Sequence, residues 1–104
     1  MRDFVIVAGT MLSDQSVPEL RQSLHDMGLA CSEYPEHIRL VDCYSFEFRR
    51  GFGHEYQIVG DADTLEKLLE DAAMVSTRLT DHRVEHSFEV YDIQGEIAGE
   101  FNYP

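Results

Sequence analysis

Residues 63–79 constrain the fold of this chain more than any other stretch. Small or apolar side chains recur there at steps of three and four residues, which places them along one side of a 3.6-residue period: Leu65, Leu68, Leu69, Ala72, Val75, Ser76 and Leu79. The other side carries charge, and Asp63 is placed to cap the first turn. The pattern predicts an amphipathic helix whose leucine side must be covered by a sheet or by another helix.

A second, shorter helix is predicted over residues 16–28 by the signals at its two ends. Ser16 and Glu19 have the spacing of a capping box, and Pro18 lies in the first turn, where its missing amide costs nothing. Gly28 is suited to a left-handed conformation just after the last turn.

Five other segments have the character of strands. Residues 4–8 are a continuous apolar run, which is the pattern of a central strand covered on both faces, and residues 9–15 are then expected to be a loop that exposes Met11 and Leu12. Polar and apolar residues alternate in the four remaining segments, which are 38–48, 54–59, 84–91 and 96–103. Only Asp42 interrupts the apolar side of the first of these four.

The predicted order of elements is β-α-β-β-α-β-β, in a single α+β domain spanning residues 1–104. Its first six elements resemble a split β-α-β, or ferredoxin-like, fold, in which an antiparallel sheet carries both helices on one face. The last strand would extend one edge of the sheet as a C-terminal hairpin. The other face of such a sheet has no helices, so we expect it to be polar or to be covered by another chain or a ligand.

Charge limits the partners that this chain can have. It contains 20 acidic residues against 8 lysines and arginines, for a formal net charge of −12. Direct binding to nucleic-acid phosphates or to an anionic membrane requires a basic surface, whereas a basic protein partner is favoured. Two cysteines, no signal sequence and no long apolar run predict a cytosolic protein with neither a disulfide framework nor a membrane span.

Residues 50–53, Arg-Gly-Phe-Gly, resemble the start of the RNP1 motif of RNA-recognition modules, which share this element order. The resemblance ends at His54 and Glu55, where the motif continues with Phe and Val, and the net charge opposes RNA binding. The preferred interpretation is a glycine-rich turn between two strands.

The histidines do not form a recognisable metal or catalytic motif. His82 and His86 have the spacing of two zinc ligands on a helix, but on a strand residues four apart are about 13 Å from each other. The neighbours His54 and Glu55 would point to opposite faces of a strand and so form no dyad. We therefore expect no metal, no cofactor and no catalytic residue.

The acidic surface leads to the functional hypothesis. We expect a non-enzymatic protein-binding module that engages a basic partner, as an inhibitor, an immunity-type protein or a mimic of nucleic-acid charge would. Alternation places Ser87 and Asn102 on the same face of the hairpin as its acids. The predicted contact residues lie on this hairpin and on the second helix: Glu85, Glu89, Tyr91, Glu96, Glu100, Glu66 and Glu70.

Two alternatives stay open. The acidic surface would also be explained as a solvated face that only aids solubility. The alternative function is a ligand-binding or catalytic ferredoxin-like homodimer that uses the open face of the sheet, with Asp42, His54 and His86 as its site.

Overall fold

The computed structural model describes residues 4–33, 37–41, 43 and 45–104, which contain two helices and seven strands. In chain order these are β1 Val5–Leu12, α1 Val17–Asp26, β2 Cys31–Glu33, β3 His37–Leu40, β4 Glu47–Arg50, β5 Glu55–Ala62, α2 Leu65–Asp81, β6 His86–Tyr91 and β7 Ile97–Asn102. The strands form one antiparallel sheet in the order β2-β3-β4-β5-β1-β6-β7. The predicted α+β class is confirmed.

The hydrophobic core lies between the two helices and one face of the sheet. Alternation along β1 shows the division, because Val5, Val7 and Met11 are buried whereas Ile6 and Ala8 on the opposite face are half-buried. Residues from both helices belong to this one core, so both helices cover the same face: Leu20, Leu24, Leu68, Ala72, Val75 and Leu79. We call the other, uncovered side of the sheet the open face.

A close approach between β1 and β6 shapes the centre of the core. A Cβ atom at Gly9 would lie 2.2 Å from the carbonyl oxygen of Ser87 and 2.4 Å from the Cβ of Phe88, so only glycine fits against this part of β6. Phe88 stacks on Phe101 with ring centroids 5.4 Å apart and meets the edge of Phe46 at 5.7 Å. Three aromatic rings from three segments of the chain therefore pack together where a side chain at Gly9 would prevent it.

The sheet differs from the predicted ferredoxin-like arrangement in its strands and their order. The segment 38–48, predicted as one strand, is divided between β3 and β4. The chain turns back because the amide of Phe46 donates to the carbonyl of Cys43 at 2.8 Å, and the amide of Leu40 donates to the carbonyl of Phe46 at 3.0 Å. The short strand β2, which was not predicted, adds a further strand at this edge. Alternation of apolar and polar residues fits two short strands joined by a turn as well as one long strand.

The first strand is also longer than predicted. β1 continues through Leu12 and pairs with β5 along its whole length, so the expected loop over residues 9–15 was wrong in its first half. Met11 is fully buried, and Leu12 is 50% exposed on the open face. The helices cover only one face of β1, although its apolar run is typical of a strand covered on both faces.

The helix ends agree with the sequence for α1 and differ for α2. The capping box is present, since the Ser16 hydroxyl accepts from the Glu19 amide at 3.3 Å and the Glu19 carboxylate accepts from the Ser16 amide at 2.9 Å. Gly28 has the predicted left-handed conformation, with φ of 85°. In α2 the capping position is occupied by Thr64, whose extended backbone starts the helix one residue later than predicted and whose side chain makes no cap hydrogen bond.

We expect Ser16→Ala to lower the free energy of unfolding by about 1 kcal/mol at pH 7, because the amide of Glu19 loses its acceptor. Two hydrogen bonds to Ser16 hold the pKa of Glu19 below its ordinary value, and the bond to the Ser16 backbone has a larger effect than the bond to its side chain. A lowered folded-state pKa stabilises the protein above the ordinary pKa and loses that effect as the pH falls through the folded value. Ser16→Ala keeps the backbone hydrogen bond and removes only the contribution of the hydroxyl to this pKa, so the difference in urea unfolding between wild type and variant should narrow in part, without vanishing, below about pH 4. A difference that widens there would contradict this account.

Candidate functional site

The strand register arranges the open face in rows of side chains that cross the sheet. One row consists of Arg39, Glu47, Val59, Ala8, Glu89 and Glu100. The next row consists of His37, Arg49, Gln57, Thr10, Ser87 and Asn102. These two rows carry bases over β3 and β4, small or uncharged residues in the middle, and acids over β6 and β7, whereas the neighbouring row places Asp61 of β5 beside Ile6 of β1.

Glu89 and Glu100 form what we call the acidic end of the open face. They lie directly opposite each other in the neighbouring strands β6 and β7. Two like charges at such positions destabilise the pairing of the strands by roughly a few tenths of a kcal/mol. Within residues 4–33, 37–41, 43 and 45–104, no base forms an ion pair with either carboxylate. Beside them, Tyr91 is half-buried and its register partner Ile97 is 54% exposed. The acidic end thus combines uncompensated charge with exposed apolar surface.

The basic end of the open face is built around Glu47, which is only 4% exposed. One of its carboxylate oxygens lies 3.2 Å from Arg39 Nη2 and 3.4 Å from His37 Nε2, and the other accepts from Arg49 Nε. The Arg49 side chain is 58% exposed, and that of Arg39 is 29% exposed. Since two guanidinium groups surround one carboxylate, this end has a net positive charge.

A hollow of about 330 Å³ lies between the β1–β5 pair and the basic end. Its lining includes the apolar residues Ile6, Ala8 and Val59 and the charged residues Arg39, Glu47, Arg49 and Asp61. An apolar centre with charged surroundings is the usual anatomy of a protein interface.

The seven predicted contact residues fall on two separate surfaces. Three of them lie on the open face, namely Glu89, Glu100 and Tyr91. Two more are exposed just outside the hairpin strands, namely Glu85 and Glu96. The remaining two, Glu66 and Glu70, are exposed on α2, which covers the opposite side of the sheet. The structure therefore does not join the helix acids to the acidic end of the open face.

Two of the residues predicted for the alternative function, His54 and His86, do not come together on the open face. His86 is buried on the helix side, where Nδ1 donates to the carbonyl of Val84 at 2.8 Å and Nε2 lies 2.7 Å from the hydroxyl of Ser76. A carbonyl oxygen can only accept, so neutral His86 carries its hydrogen on Nδ1 and accepts from Ser76. His54 is exposed in the turn between β4 and β5, where the predicted turn is confirmed, and Asp42 lies outside the described residues.

Neither metal ligands nor a membrane-spanning helix emerge from the described parts of the chain. No three side chains of His, Cys, Asp or Glu there are grouped so that they could hold a metal ion. Neither α1 nor α2 is long and apolar enough to cross a membrane.

The sequence pattern does not single out Glu47 and its two arginines. Alternation puts Arg39, Glu47 and Arg49 on the side away from the core, which was the available signal. Their contact depends on the turn before β4, which brings β3 back beside β4 and makes Arg39 the direct cross-strand neighbour of Glu47. If residues 38–48 formed one long strand, as the sequence pattern predicts, Arg39 and Glu47 would lie near its opposite ends.

No known protein family, curated protein or solved structure matches this chain. An α+β architecture does not by itself select a function, since similar folds serve unrelated ones. Function is therefore inferred from the geometry of the open face.

We expect Glu47→Gln to lower the free energy of unfolding by about 1–3 kcal/mol, because it leaves two neighbouring guanidinium groups without their shared carboxylate. The loss is smaller than for a fully buried pair, since solvent screens the exposed parts of both arginines. Urea unfolding followed by circular dichroism would measure it. Glu66→Gln is the matched control on an exposed position and should change stability by less than about 0.5 kcal/mol. Equal effects of the two substitutions would contradict the role assigned to Glu47.

The cysteines are expected to be unreactive in the folded protein. Burial raises the pKa of the Cys31 thiol to about 11, against an opposing effect of Arg21, and Cys43 is 2% exposed. At pH 8 only about one Cys31 thiol in a thousand would be ionised, and the thiolate is the reactive form. Labelling with iodoacetamide should be slow in native buffer and complete in urea. Rapid labelling of Cys31 in the folded protein would show that this pKa is not raised.

Proposed function

We propose that this chain is a non-enzymatic, cytosolic protein-binding module that engages a basic surface of a partner through the acidic end of its open face. The observation that carries this proposal is the direct cross-strand pairing of Glu89 with Glu100, without a compensating base among the described residues. Repulsion between the two carboxylates weakens the hairpin of an isolated chain. A cationic side chain of a partner placed between them would be attracted to both carboxylates.

The surroundings of Glu89 and Glu100 support a protein as the partner rather than a small cation. Tyr91 and Ile97 offer apolar contact area in the next row, where an aromatic side chain orders at low entropic cost. The hollow beside Ile6, Ala8 and Val59 continues this apolar surface toward the middle of the sheet. Ionic groups would thus steer the encounter, and apolar burial would supply most of the affinity.

The proposed contact surface is narrower than the one predicted from the sequence. It includes Glu89, Glu100 and Tyr91, with Glu85 and Glu96 at its margin. The helix acids Glu66 and Glu70 lie on the other side of the sheet and are assigned to solubility. An inhibitor, an immunity-type protein and a mimic of nucleic-acid charge all belong to the class of protein proposed here.

The test is capture of partners from a lysate by tagged protein at two ionic strengths. Charges are screened beyond about 30 Å at about 0.01 M and beyond about 3 Å at about 1 M. The wild type should capture a partner at low salt and lose it at high salt. Changing Glu89 and Glu100 together to Gln should reduce capture about tenfold or more. The matched control changes Glu66 and Glu70 to Gln, which removes the same charge from α2 and should leave capture unchanged. Capture that is indifferent to salt, or equally affected by both double variants, would overturn the proposal.

A further inference from the structure

The open face is complementary in charge to itself. We infer that the basic surface engaged by the acidic end is the basic end of a second copy of this chain, in a homodimer packed through the two open faces. This inference rests on the proposed function of the open face as a protein-binding surface and names its partner.

In the described parts of the chain, no element covers the middle of the open face. Residues 4–8 are wholly apolar, the composition of a strand buried on both faces, yet α1 and α2 cover only the side of Val5 and Val7. On the open side, Ile6, Ala8 and Val59 are half-buried at neighbouring positions of β1 and β5. A second open face would complete their burial.

The open face is large enough for a stable dimer. Seven strands spaced about 4.8 Å apart make a face about 30 Å wide, and the eight-residue strands β1 and β5 are about 26 Å long. These dimensions allow burial on the order of the 800 Å² per partner that a standard protein interface uses.

Charge also selects the geometry of the dimer. Two sheets that pack face to face by two-fold symmetry have the axis in the plane between them, either along the strands or across them. An axis across the strands places each acidic end over the acidic end of the other copy. An axis along the strands reverses the strand order, so each acidic end lies over a basic end, and the contact is made twice. The structure therefore favours an axis close to the strand direction, so that the strands of the two sheets cross at the roughly 30° that aligned sheets usually adopt.

The net charge of −12 opposes any association of two copies. Added salt screens this general repulsion and also weakens the ion pairs at the interface, so the two effects oppose each other. Salt dependence consequently does not test the dimer, whereas exchanging the signs of its two ends does.

The test compares three variants with the wild type by sedimentation at about 100 μM, where a dimer with a Kd of about 1 μM is mostly formed. The first variant, E89R/E100R, makes both ends basic. The second, R39E/E47R/R49E, makes both ends acidic. It inverts the charges at positions 39, 47 and 49 together, so that residue 47 is still surrounded by two side chains of opposite charge. The control, E66R/E70R, changes the charge as the first variant does, but on α2. Circular dichroism establishes that each variant is folded.

We expect the wild type and the control at twice the monomer mass of 11.9 kDa, and each of the first two variants alone as a monomer. Mixed in equal amounts, these two variants should form a dimer that contains one copy of each, because opposite charges then meet at both contacts. If R39E/E47R/R49E does not fold, E89R/E100R alone decides, since a folded dimer of it would overturn the inference.

A monomeric wild type would overturn the homodimer, and so would a mixture of folded variants that stays monomeric. The proposed function fails separately. A monomeric wild type that still captures another protein through Glu89 and Glu100 leaves the proposed function standing, whereas a monomer without such capture removes both.

Discussion

The core of this protein lies on one face of its sheet, because α1 and α2, of ten and seventeen residues, both pack against that face in the part of the chain that the structure describes. Most inward positions of the central strands are therefore buried and apolar, whereas His86 on β6 is buried and polar and Gly9 on β1 is half-buried against Phe88. Residues between those positions contribute little to the core and remain available for other chemistry. Alternation of apolar and polar residues along each strand thus stabilises the core on one face and leaves mostly polar and charged residues on the open face.

The two charged ends of the open face differ in whether their charges are compensated by neighbouring side chains. At the basic end, Glu47 is buried among Arg39, Arg49 and His37 and holds the two guanidinium groups together. Leaving a buried carboxylate without cations is costly, so this cluster is fixed by the fold. At the acidic end, Glu89 and Glu100 face each other without such a counter-charge among the described residues. One end has its counter-charges within the chain, whereas the other has none among the described residues.

Local signals predicted the parts of this fold that depend on neighbouring residues. The helical period found α2, the capping box found the start of α1, and alternation placed Glu89 and Glu100 on one face together with Ser87 and Asn102. A shift in register between Val90 and Tyr91 then brings Tyr91 opposite Ile97, which alternation does not reveal.

Features that depend on distant pairing were missed. The turn before β4, the strand β2 and the cluster around Glu47 all require the knowledge that β3 returns beside β4. The separation of Glu66 and Glu70 from the acidic end likewise follows from which side of the sheet α2 covers.

The outer strands of the sheet determine how far any assembly of this protein can grow. β2 has only three residues, and the outer strand β7 carries Glu100 and follows Glu96. A short edge and a charged edge are both poor templates for a further strand. Contact between faces about a two-fold axis closes after two copies, whereas contact between edges repeats without limit. A dimer of the kind inferred above would therefore be finite, and both margins of the sheet disfavour the growth of fibres.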